Sequence, residues 1–423
     1  MSDKASQDDD SEDNDALLEW AREMGGYFNP KLSMGTDSDG LFGVLANAPI
    51  PKDEVLMRMP WRVVISSDAQ RRHHNRFINC DTVQLLKEEL DKGDSSRYAP
   101  YTAALKQRAK DHYHLLPAHW SKEGQDLLRQ VLNDGHLPAR DMFYEEFDWK
   151  KECDKVDPVA TLLVLTHGEN LGMSPVTDRF NNRAGEHIGA KYSIDGGRMG
   201  TAIEIKSSRY LKPGEHIYVS YRDYGWIGTP ELFRDYGFVE LYPQRYVFYK
   251  QRIAFDVLDP DDTKGDLGGQ ALKVKWREQV MQEEYIDIST RNGYRKRAAV
   301  RFLRQEHRRL KQIACPLIMK AKPDAFDSPS QHEIDMAAKF CHSMMIAMEA
   351  ALLDLHIPIP ISIPEDDTFT PDFQNASLET PDMLPERVFQ IHLSLACCVA
   401  LIFFRVMRHR SKYFKSLRRD RNE

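Results

Sequence analysis

The stretch LKPGEHIYVSYRDYGWIGTPELFRDYGFVE, residues 211–240, decides the fold because a turn, a strand and a capped helix follow one another within it. Lys212–Glu215 predicts a tight turn, since its proline presets φ and its glycine tolerates positive φ. The alternation in Ile217–Tyr221 has a period of two and predicts a strand covered on each side. Thr229 is placed to cap a short helix, and Gly237 is a natural left-handed end for it. We therefore expect this stretch to pack as one unit.

The same stretch resembles the end of the SET domain in lysine methyltransferases of the Rubisco large-subunit class. The matching motifs are GE-x-I-x-V-S-Y at residues 214–221 and the helix that ends in YGFV at residues 236–239. The resemblance implies that Tyr221 is the active-site tyrosine, whose hydroxyl orients the methyl group and the incoming nitrogen, and that Tyr236 lines the lysine channel. Without this motif order, tyrosines on a strand are interpreted as core residues. Two further aromatic residues could add to the channel wall: Tyr224 and Trp226.

A second motif, DGLFGVLA at residues 39–46, precedes a "charged-Glu-Val-Leu" turn and resembles the first SET hairpin. A cofactor can lie against main chain where no Cβ intervenes, so a glycine turn suits binding through backbone groups. By itself, a glycine pair favours a hairpin without a ligand. The resemblance implies that S-adenosylmethionine binds here, although the family's Gly-x-Gly is replaced by a wider glycine spacing. The residues expected to face this cofactor are Gly40, Leu41 and Phe42.

A third motif, PVTDRFNN at residues 175–182, resembles the family's Pro-x-x-Asp-x-x-Asn-His segment, which forms the SET knot and contacts the adenosine end of the cofactor. Asp178 and Asn181 match that pattern, and Asn182 stands where histidine is usual. His167 stands where the class often has an arginine that helps to hold the cofactor carboxylate. Alone, these residues indicate a polar loop. The order and spacing of all three motifs favour the family.

The resemblance implies an α+β protein: a SET domain of small twisted β-sheets with a knot-like C-terminal threading and a helical insert, followed by a mostly helical C-terminal domain. Within the insert, the Leu-Pro-x-x-Trp-Ser string at residues 116–121 is similar to that of the class. The expected divisions are an acidic disordered leader at residues 1–16, a SET domain at 17–242 with its insert at about 70–165, and a substrate-binding-like domain at 243–423.

Metal ligation is not expected, because the insert's histidines have no cysteine or carboxylate at ligand spacing and are interpreted as surface or packing residues. These histidines are His112, His114 and His119.

Two helices are predicted in the C-terminal region. Arg295–Ala314 has a stripe of apolar residues and is amphipathic, and Met336–Leu355 forms the second helix. The apolar stripe of the first consists of Ala299, Phe302, Leu303, Leu310 and Ile313.

Residues 391–407 are apolar on all faces and are followed by basic residues, so a C-terminal membrane anchor is an alternative. A buried terminal helix is favoured, because the uninterrupted apolar core has 12 residues, whereas a membrane span needs about 20.

Composition restricts the remaining classes. The chain has 423 residues, 41% of them hydrophobic, which is enough for sizeable cores, and its net charge is −7. Residues 1–15 contain seven acids and indicate a solvated tail. The basic stretches at 291–311 and 405–421 are not interleaved with aromatics in the manner of a nucleic-acid platform, so nucleic-acid binding is not expected. Six cysteines without a regular framework favour a reducing compartment, the cytosol or nucleus.

These observations and the resemblance predict a monomeric protein N-methyltransferase that uses S-adenosylmethionine to methylate a lysine of a non-histone protein. A sister group with this architecture methylates histidine, so protein histidine is an alternative acceptor. A different class also stays open: a catalytically inactive SET-fold docking module, either free or tethered to a membrane. His167 and Asn182 favour that alternative, and Tyr221, Tyr236 and Asn181 oppose it.

Overall fold

A computed structural model describes residues 16–37, 41–67, 80–133, 153–168, 172–195, 201–221, 227–258, 272–280, 283–284, 293–321 and 329–355. Helices and strands are mixed along the chain, as the sequence predicts. The helices are α1 (residues 16–23), α2 (Cys80–Lys92), α3 (Ala99–His112), α4 (Lys122–Leu132), α5 (Pro158–His167), α6 (Thr229–Tyr236), α7 (Gly293–Arg309), α8 (Cys315–Lys320) and α9 (Gln331–Asp354).

The strands are short and form small antiparallel sheets. They are β1 (Tyr27–Phe28), β2 (Leu32–Thr36), β3 (Phe42–Ala46), β4 (Val55–Pro60), β5 (Ala190–Asp195), β6 (Ala202–Ser207), β7 (Gln244–Phe248), β8 (Ile253–Val257), β9 (Val274–Trp276), β10 (Gln279–Val280) and β11 (Glu283–Glu284). One sheet has the order β1-β4-β6-β5, another is the hairpin β2-β3, a third is β7-β8-β9, and β10 pairs with β11. The motif at residues 39–46 thus forms its hairpin with Leu32–Thr36, which precedes it, rather than with the strand that follows.

The decisive stretch adopts most of the predicted structure. Gly214 has a φ of +79° in a turn closed by a hydrogen bond from the Glu215 amide to the Lys212 carbonyl. The chain from His216 onward is extended between β3 and residues 181–189, and it bonds both through single bridges rather than a regular strand. Gly237 ends α6 with a φ of +74°, as predicted.

The predicted cap of α6 is wrong in one detail. Thr229 is the first helical residue, and its hydroxyl donates to the buried carboxylate of Glu240. Gly228 occupies the capping position instead, and its amide donates to Glu231 at 2.9 Å. The carboxylate of Glu231 therefore reaches back to the amide of the capping residue, which is half of a capping box, and the Thr229 side chain takes no part in the cap.

Two apolar cores lie in the described part of the chain. The first joins the β1-β4-β6-β5 sheet to α2, α3 and α5. The second joins α4 of the insert and α6 to the β7-β8-β9 sheet and the C-terminal helices. An aromatic series links its three parts: Trp120 lies 5.7 Å from Phe233, and Phe233 lies 4.7 Å from Phe340, measured between ring centroids. The insert therefore lies within the SET region of the sequence, while its helix α4 packs against the C-terminal helices.

The helix predicted at Arg295–Ala314 is α7 followed by a π-helical turn, Leu310–Ala314. Leu310 is fully buried, as predicted, but Ile313 is 60% exposed. A π-turn has a wider repeat than an α-helix, so it rotates the residues that follow relative to the apolar stripe. Ala314 takes the inward position instead, and the assignment of Ile313 to the buried face was wrong.

The structure pairs four of the cysteines, which the scattered spacing did not predict. Cys80 is bonded to Cys153, with Cα atoms 5.0 Å apart, and Cys315 is bonded to Cys341, with Cα atoms 5.9 Å apart. Both separations lie in the usual range for a disulfide. The first bond ties the start of α2 to the approach of α5, and the second ties α8 to α9.

Helix α9 is the single helix in the described ranges that is long and apolar enough to cross a membrane. Many of its apolar side chains, Phe340 and Met344 among them, are buried in the second core, as in the core helix of a globular domain, although Leu353 is 38% exposed. The apolar segment at 391–407 lies outside the described residues.

Candidate active site

Tyr221 is held at two points by the segment that carries the third motif. Its hydroxyl donates to the Phe180 carbonyl at 3.0 Å, and its amide donates to Oδ1 of Asn182 at 2.9 Å. Val219, two residues before Tyr221 on the same extended segment, donates its amide hydrogen to the Asn181 carbonyl at 2.9 Å. Main-chain and side-chain bonds together therefore fix the position of the tyrosine ring against residues 180–182.

Tyr236 lies beside this tyrosine, at the end of α6. The two ring centroids are 4.8 Å apart, and Phe238 lies 6.1 Å beyond Tyr236. Gly237 makes this arrangement possible, because a Cβ there would come within 2.6 Å of the Leu115 carbonyl oxygen. The insert thus packs directly on the helix end that places Tyr236.

Asn181 connects the third motif to the first hairpin. Its Nδ2 donates to the Phe42 carbonyl at 2.7 Å and lies 3.1 Å from Nε2 of His216. Nδ1 of His216 lies 2.8 Å from Oδ2 of Asp37, at the turn between β2 and β3. Phe42 and Asn181, both expected at the cofactor site, are therefore in direct contact.

The neighbouring Gly43 serves a purpose that differs from the expected one. We expected the glycine turn to let a cofactor approach the main chain. A Cβ on Gly43 would instead lie 2.4 Å from Nε2 of His216 and 2.6 Å from Nδ2 of Asn181. At this position the absent side chain leaves room for two protein side chains.

Asp178 points into the protein interior. Its side chain is 2% exposed and forms an ion pair with Arg108 of α3, while Nδ1 of His167 lies 3.8 Å away. Burial acts to raise the pKa of Asp178, but Arg108, with His167 and Arg179, outweighs it and holds the pKa below its ordinary value. Through Arg108 and His167, the Asp178 carboxylate therefore connects the third motif to the insert and to α5.

Asn182 has a buried donor without a partner. Its Oδ1 accepts the Tyr221 amide, but Nδ2 is buried and makes no hydrogen bond within the described part of the chain. An unsatisfied buried donor is costly, so such a group is a candidate for contact with a bound molecule. Together with the Phe42 main chain and the Asn181 amide, it offers polar groups suited to a nucleoside-type cofactor.

Three predicted site residues, Gly40, Tyr224 and Trp226, lie outside the described residues. Leu41 is described and is 43% exposed beside Phe42. Sequence reasoning missed two groups: Arg108, which was one cation among many on a helix, and His216, which occupies a variable position of the GE-x-I motif. The alternation of that motif places His216 on the face of Tyr218, yet nothing local indicates the partners that it meets.

Small antiparallel sheets, a helical insert and a tyrosine pair against residues 180–182 together define a SET fold, the fold of SET-domain methyltransferases. The family model "SET domain" matches residues 41–222, which include β3, the insert and Tyr221. This chain therefore contains a SET domain.

Two relatives from Schizosaccharomyces pombe are similar in sequence. An uncharacterized protein is 26% identical over 266 residues, covering 53% of this chain and 54% of the relative. The ribosomal lysine N-methyltransferase set11 is 26% identical over 242 residues, covering 52% of this chain and 60% of the relative. The chain thus matches little more than half the length of each curated relative.

Solved structures of Rubisco LSMT are similar as well. The complex with sinefungin and monomethyllysine has 12% identity and a TM-score of 0.45, covering 90% of this chain and 99% of that chain. The SET domain of LSMT bound to lysine and AdoHcy has 15% identity and a TM-score of 0.43, covering 82% and 92%.

Proposed function

We propose that this protein is an S-adenosylmethionine-dependent protein N-methyltransferase that modifies a lysine side chain of a non-histone protein. The observation that carries the proposal is the position of residues 180–182 in the SET domain. This segment holds Tyr221 at its hydroxyl and its amide, and through Asn181 it also holds the Phe42 carbonyl. One segment thus joins the proposed channel tyrosine to the proposed cofactor surface.

The residues proposed to hold the cofactor are the main chain of Leu41 and Phe42 with the side chains of Asn181 and Asn182. The orphaned Nδ2 of Asn182 supports this assignment, because a bound acceptor would satisfy it. When bound, S-adenosylmethionine supplies an electrophilic methyl group on a sulfonium. Asp178 is proposed to act indirectly, because its carboxylate is engaged by Arg108.

The tyrosine pair fits a lysine acceptor. Aromatic faces bury the methylene stem of a lysine and tolerate a cationic product. Desolvation beside the contacting rings of Tyr221 and Tyr236 would lower the pKa of the lysine and favour the neutral, nucleophilic amine. In-line transfer then depends on alignment, and the Tyr221 hydroxyl, whose hydrogen is donated to the Phe180 carbonyl, keeps its oxygen lone pairs to accept a hydrogen bond from the incoming amine.

The relative set11 carries the name of a ribosomal lysine methyltransferase. Ribosomal proteins are therefore the first non-histone class that we propose to test as substrates. Protein histidine is the alternative acceptor.

The test is transfer of labelled methyl groups from S-adenosylmethionine to ribosomal proteins and to a peptide library, with mass spectrometry to locate each modified residue. Tyr221→Phe is compared with wild type, and Tyr210→Phe is the matched control because Tyr210 is 54% exposed. We expect label on lysine, loss of transfer in Tyr221→Phe and normal transfer in Tyr210→Phe.

Other outcomes would refute parts of this proposal. Label confined to histidine would identify the alternative acceptor. Equal labelling by wild type and Tyr221→Phe would remove Tyr221 from the mechanism. A folded protein that neither binds S-adenosylmethionine nor transfers label would favour the docking module.

We further propose that the protein acts as a monomer in the cytosol or nucleus, although the Cys80–Cys153 and Cys315–Cys341 bonds are of a kind more usual in an oxidising compartment. Carbonate extraction of cell membranes and sizing chromatography test these points. Retention in the membrane fraction would instead support anchoring through residues 391–407.

A further inference from the structure

Asp37, His216, Asn181 and Phe42 form a continuous chain of hydrogen bonds across the first hairpin and the third motif. Asp37 Oδ2 lies 2.8 Å from His216 Nδ1, His216 Nε2 lies 3.1 Å from Asn181 Nδ2, and Nδ2 lies 2.7 Å from the Phe42 carbonyl oxygen. The His216 side chain is 5% exposed, and its ring stacks on Tyr218 with 4.3 Å between centroids. Hydrogen bonds at both ring nitrogens and stacking on Tyr218 therefore fix the position of the imidazole.

The chemistry of the end groups assigns every proton in this chain. A carbonyl oxygen only accepts, so the Asn181 atom facing Phe42 is the amide nitrogen. That nitrogen only donates, so Nε2 of His216 is the acceptor that faces it. The ionised carboxylate of Asp37 also only accepts, so Nδ1 of His216 carries the ring hydrogen.

We propose that His216 is a positioning residue for the cofactor: its Nε2 lone pair holds the Asn181 amide in the orientation that binds the Phe42 carbonyl. Both hydrogens of Nδ2 are then used, one by Phe42 and one by His216. The amide oxygen Oδ1 is left for hydrogen-bond donors of the cofactor. This inference rests on the proposed function, which places the cofactor at Phe42 and Asn181.

Protonation of His216 would disrupt this arrangement. A hydrogen on Nε2 would face the Asn181 nitrogen, which places two donors against each other. If the amide rotated to offer Oδ1 to the ring, that oxygen would take the place of Nδ2, 2.7 Å from the Phe42 carbonyl oxygen. When the His216 ring is protonated, neither orientation of the Asn181 amide can bond favourably to both His216 and Phe42. Cofactor affinity therefore depends on the neutral form of His216.

The charged groups around the imidazole act in opposite directions. Burial lowers the pKa of His216, and the hydrogen bond and charge of Asp37 partly oppose this effect. The Arg183 guanidinium lies over the Tyr218 ring at 5.6 Å, and that of Arg179 lies over Phe42 at 5.8 Å. On the residue's own segment, the Glu215 carboxylate is paired with Arg209. The net effect is a lowered pKa, so the neutral ring persists at physiological pH.

The experiment is calorimetric titration of the full chain with S-adenosylmethionine between about pH 5.5 and about pH 8.5. His216→Gln keeps an uncharged acceptor and does not titrate, whereas His216→Phe keeps an aromatic face and loses the acceptor. His342→Phe is the control, because His342 is exposed on α9. Titration of the cofactor's own amine affects all variants alike and cancels in the comparison.

At the upper pH we expect His216→Phe to bind about five- to tenfold more weakly than wild type, the effect of one lost hydrogen bond. His216→Gln should bind close to wild type there and should lose less affinity than wild type as the pH falls, because only the wild-type ring can become protonated. Nitrogen NMR of the imidazole, without cofactor, should show the Nδ1–H tautomer. The signal that is absent from His216→Gln is the one that belongs to His216.

Failure of the inference differs from failure of the proposed function. Equal affinity of wild type and His216→Phe, equal pH dependence of wild type and His216→Gln, or an Nε2–H tautomer would each refute the role of His216. Absence of binding by folded wild type at every pH would refute the proposed cofactor site itself.

Discussion

Gly43→Ala should destabilise the protein because its new methyl group would enter an occupied space. A Cβ on Gly43 would lie 2.4 Å from Nε2 of His216 and 2.6 Å from Nδ2 of Asn181. Non-bonded carbon contacts are favourable only beyond about 3.5 Å, so each atom must retreat by roughly 1 Å. Asn181 cannot retreat without losing its bond to the Phe42 carbonyl.

The expected cost follows from the bonds that must break. Two hydrogen bonds, His216 to Asn181 and Asn181 to Phe42, contribute about 0.5–1.5 kcal/mol each, so the change costs about 1–3 kcal/mol. Overpacking of a filled site costs a similar amount, about 1–3 kcal/mol. An opposing gain of about 0.4–1 kcal/mol comes from the reduced entropy of the unfolded chain when glycine becomes alanine.

Gly35→Ala provides a matched control for that gain. Gly35 pairs with Gly43 across the β2-β3 hairpin, and its Cβ would meet only Leu45 Cδ1 at 3.4 Å. The difference between the two variants therefore isolates the steric effect. Urea unfolding followed by tryptophan fluorescence measures the free energies, and calorimetry measures S-adenosylmethionine binding. Equal stability and equal binding in the two variants would refute the reasoning.

Three further changes test other parts of the structure. Arg108→Met leaves the buried carboxylate of Asp178 without its cation and should lower the free energy of unfolding in urea by about 3–5 kcal/mol. A decrease no larger than that of a surface substitution would contradict the buried ion pair. Because the pKa of Asp178 is lowered, its contribution to stability is present above the unfolded pKa of about 3.9 and is lost as pH falls through the folded value. Asp178→Asn should therefore flatten that part of the acid unfolding profile. An unchanged profile would contradict the lowered pKa of Asp178. Leu310→Ala should cost about 2–5 kcal/mol and Ile313→Ala less than about 0.5 kcal/mol in thermal or urea unfolding, because the first is buried and the second exposed; the reverse order would rule out the π-turn.

The turn, the extended segment and the end of α6 within residues 211–221 and 227–240 could be predicted in outline because their determinants are local. Positive φ at Gly214 and Gly237 follows from the special freedom of glycine, and the extended segment follows from its alternation. The contact between Tyr221 and Tyr236 was implied by the family resemblance rather than by periodicity, and the structure places the two rings together.

Other features depend on partners that no local pattern indicates. Asp37 and His216 are 179 residues apart in sequence, and Arg108 and Asp178 are 70 apart. The buried orientation of Asp178 arises from that distant cation, and the exposure of Ile313 arises from a change of helical repeat within one helix. Helical periodicity assumes a constant repeat, so it could not reveal that change.

The shared aromatic packing of Trp120, Phe233 and Phe340 has a consequence for protein engineering. Truncation after residue 242 would leave Trp120 and Phe233 facing water, because Phe340 belongs to α9. Such an exposed aromatic surface promotes aggregation. It would also remove the support of α6, the helix that ends at Tyr236. Grafting only the SET segment of this chain into a chimaera is therefore expected to damage the tyrosine channel, and a transferable unit must extend through α9.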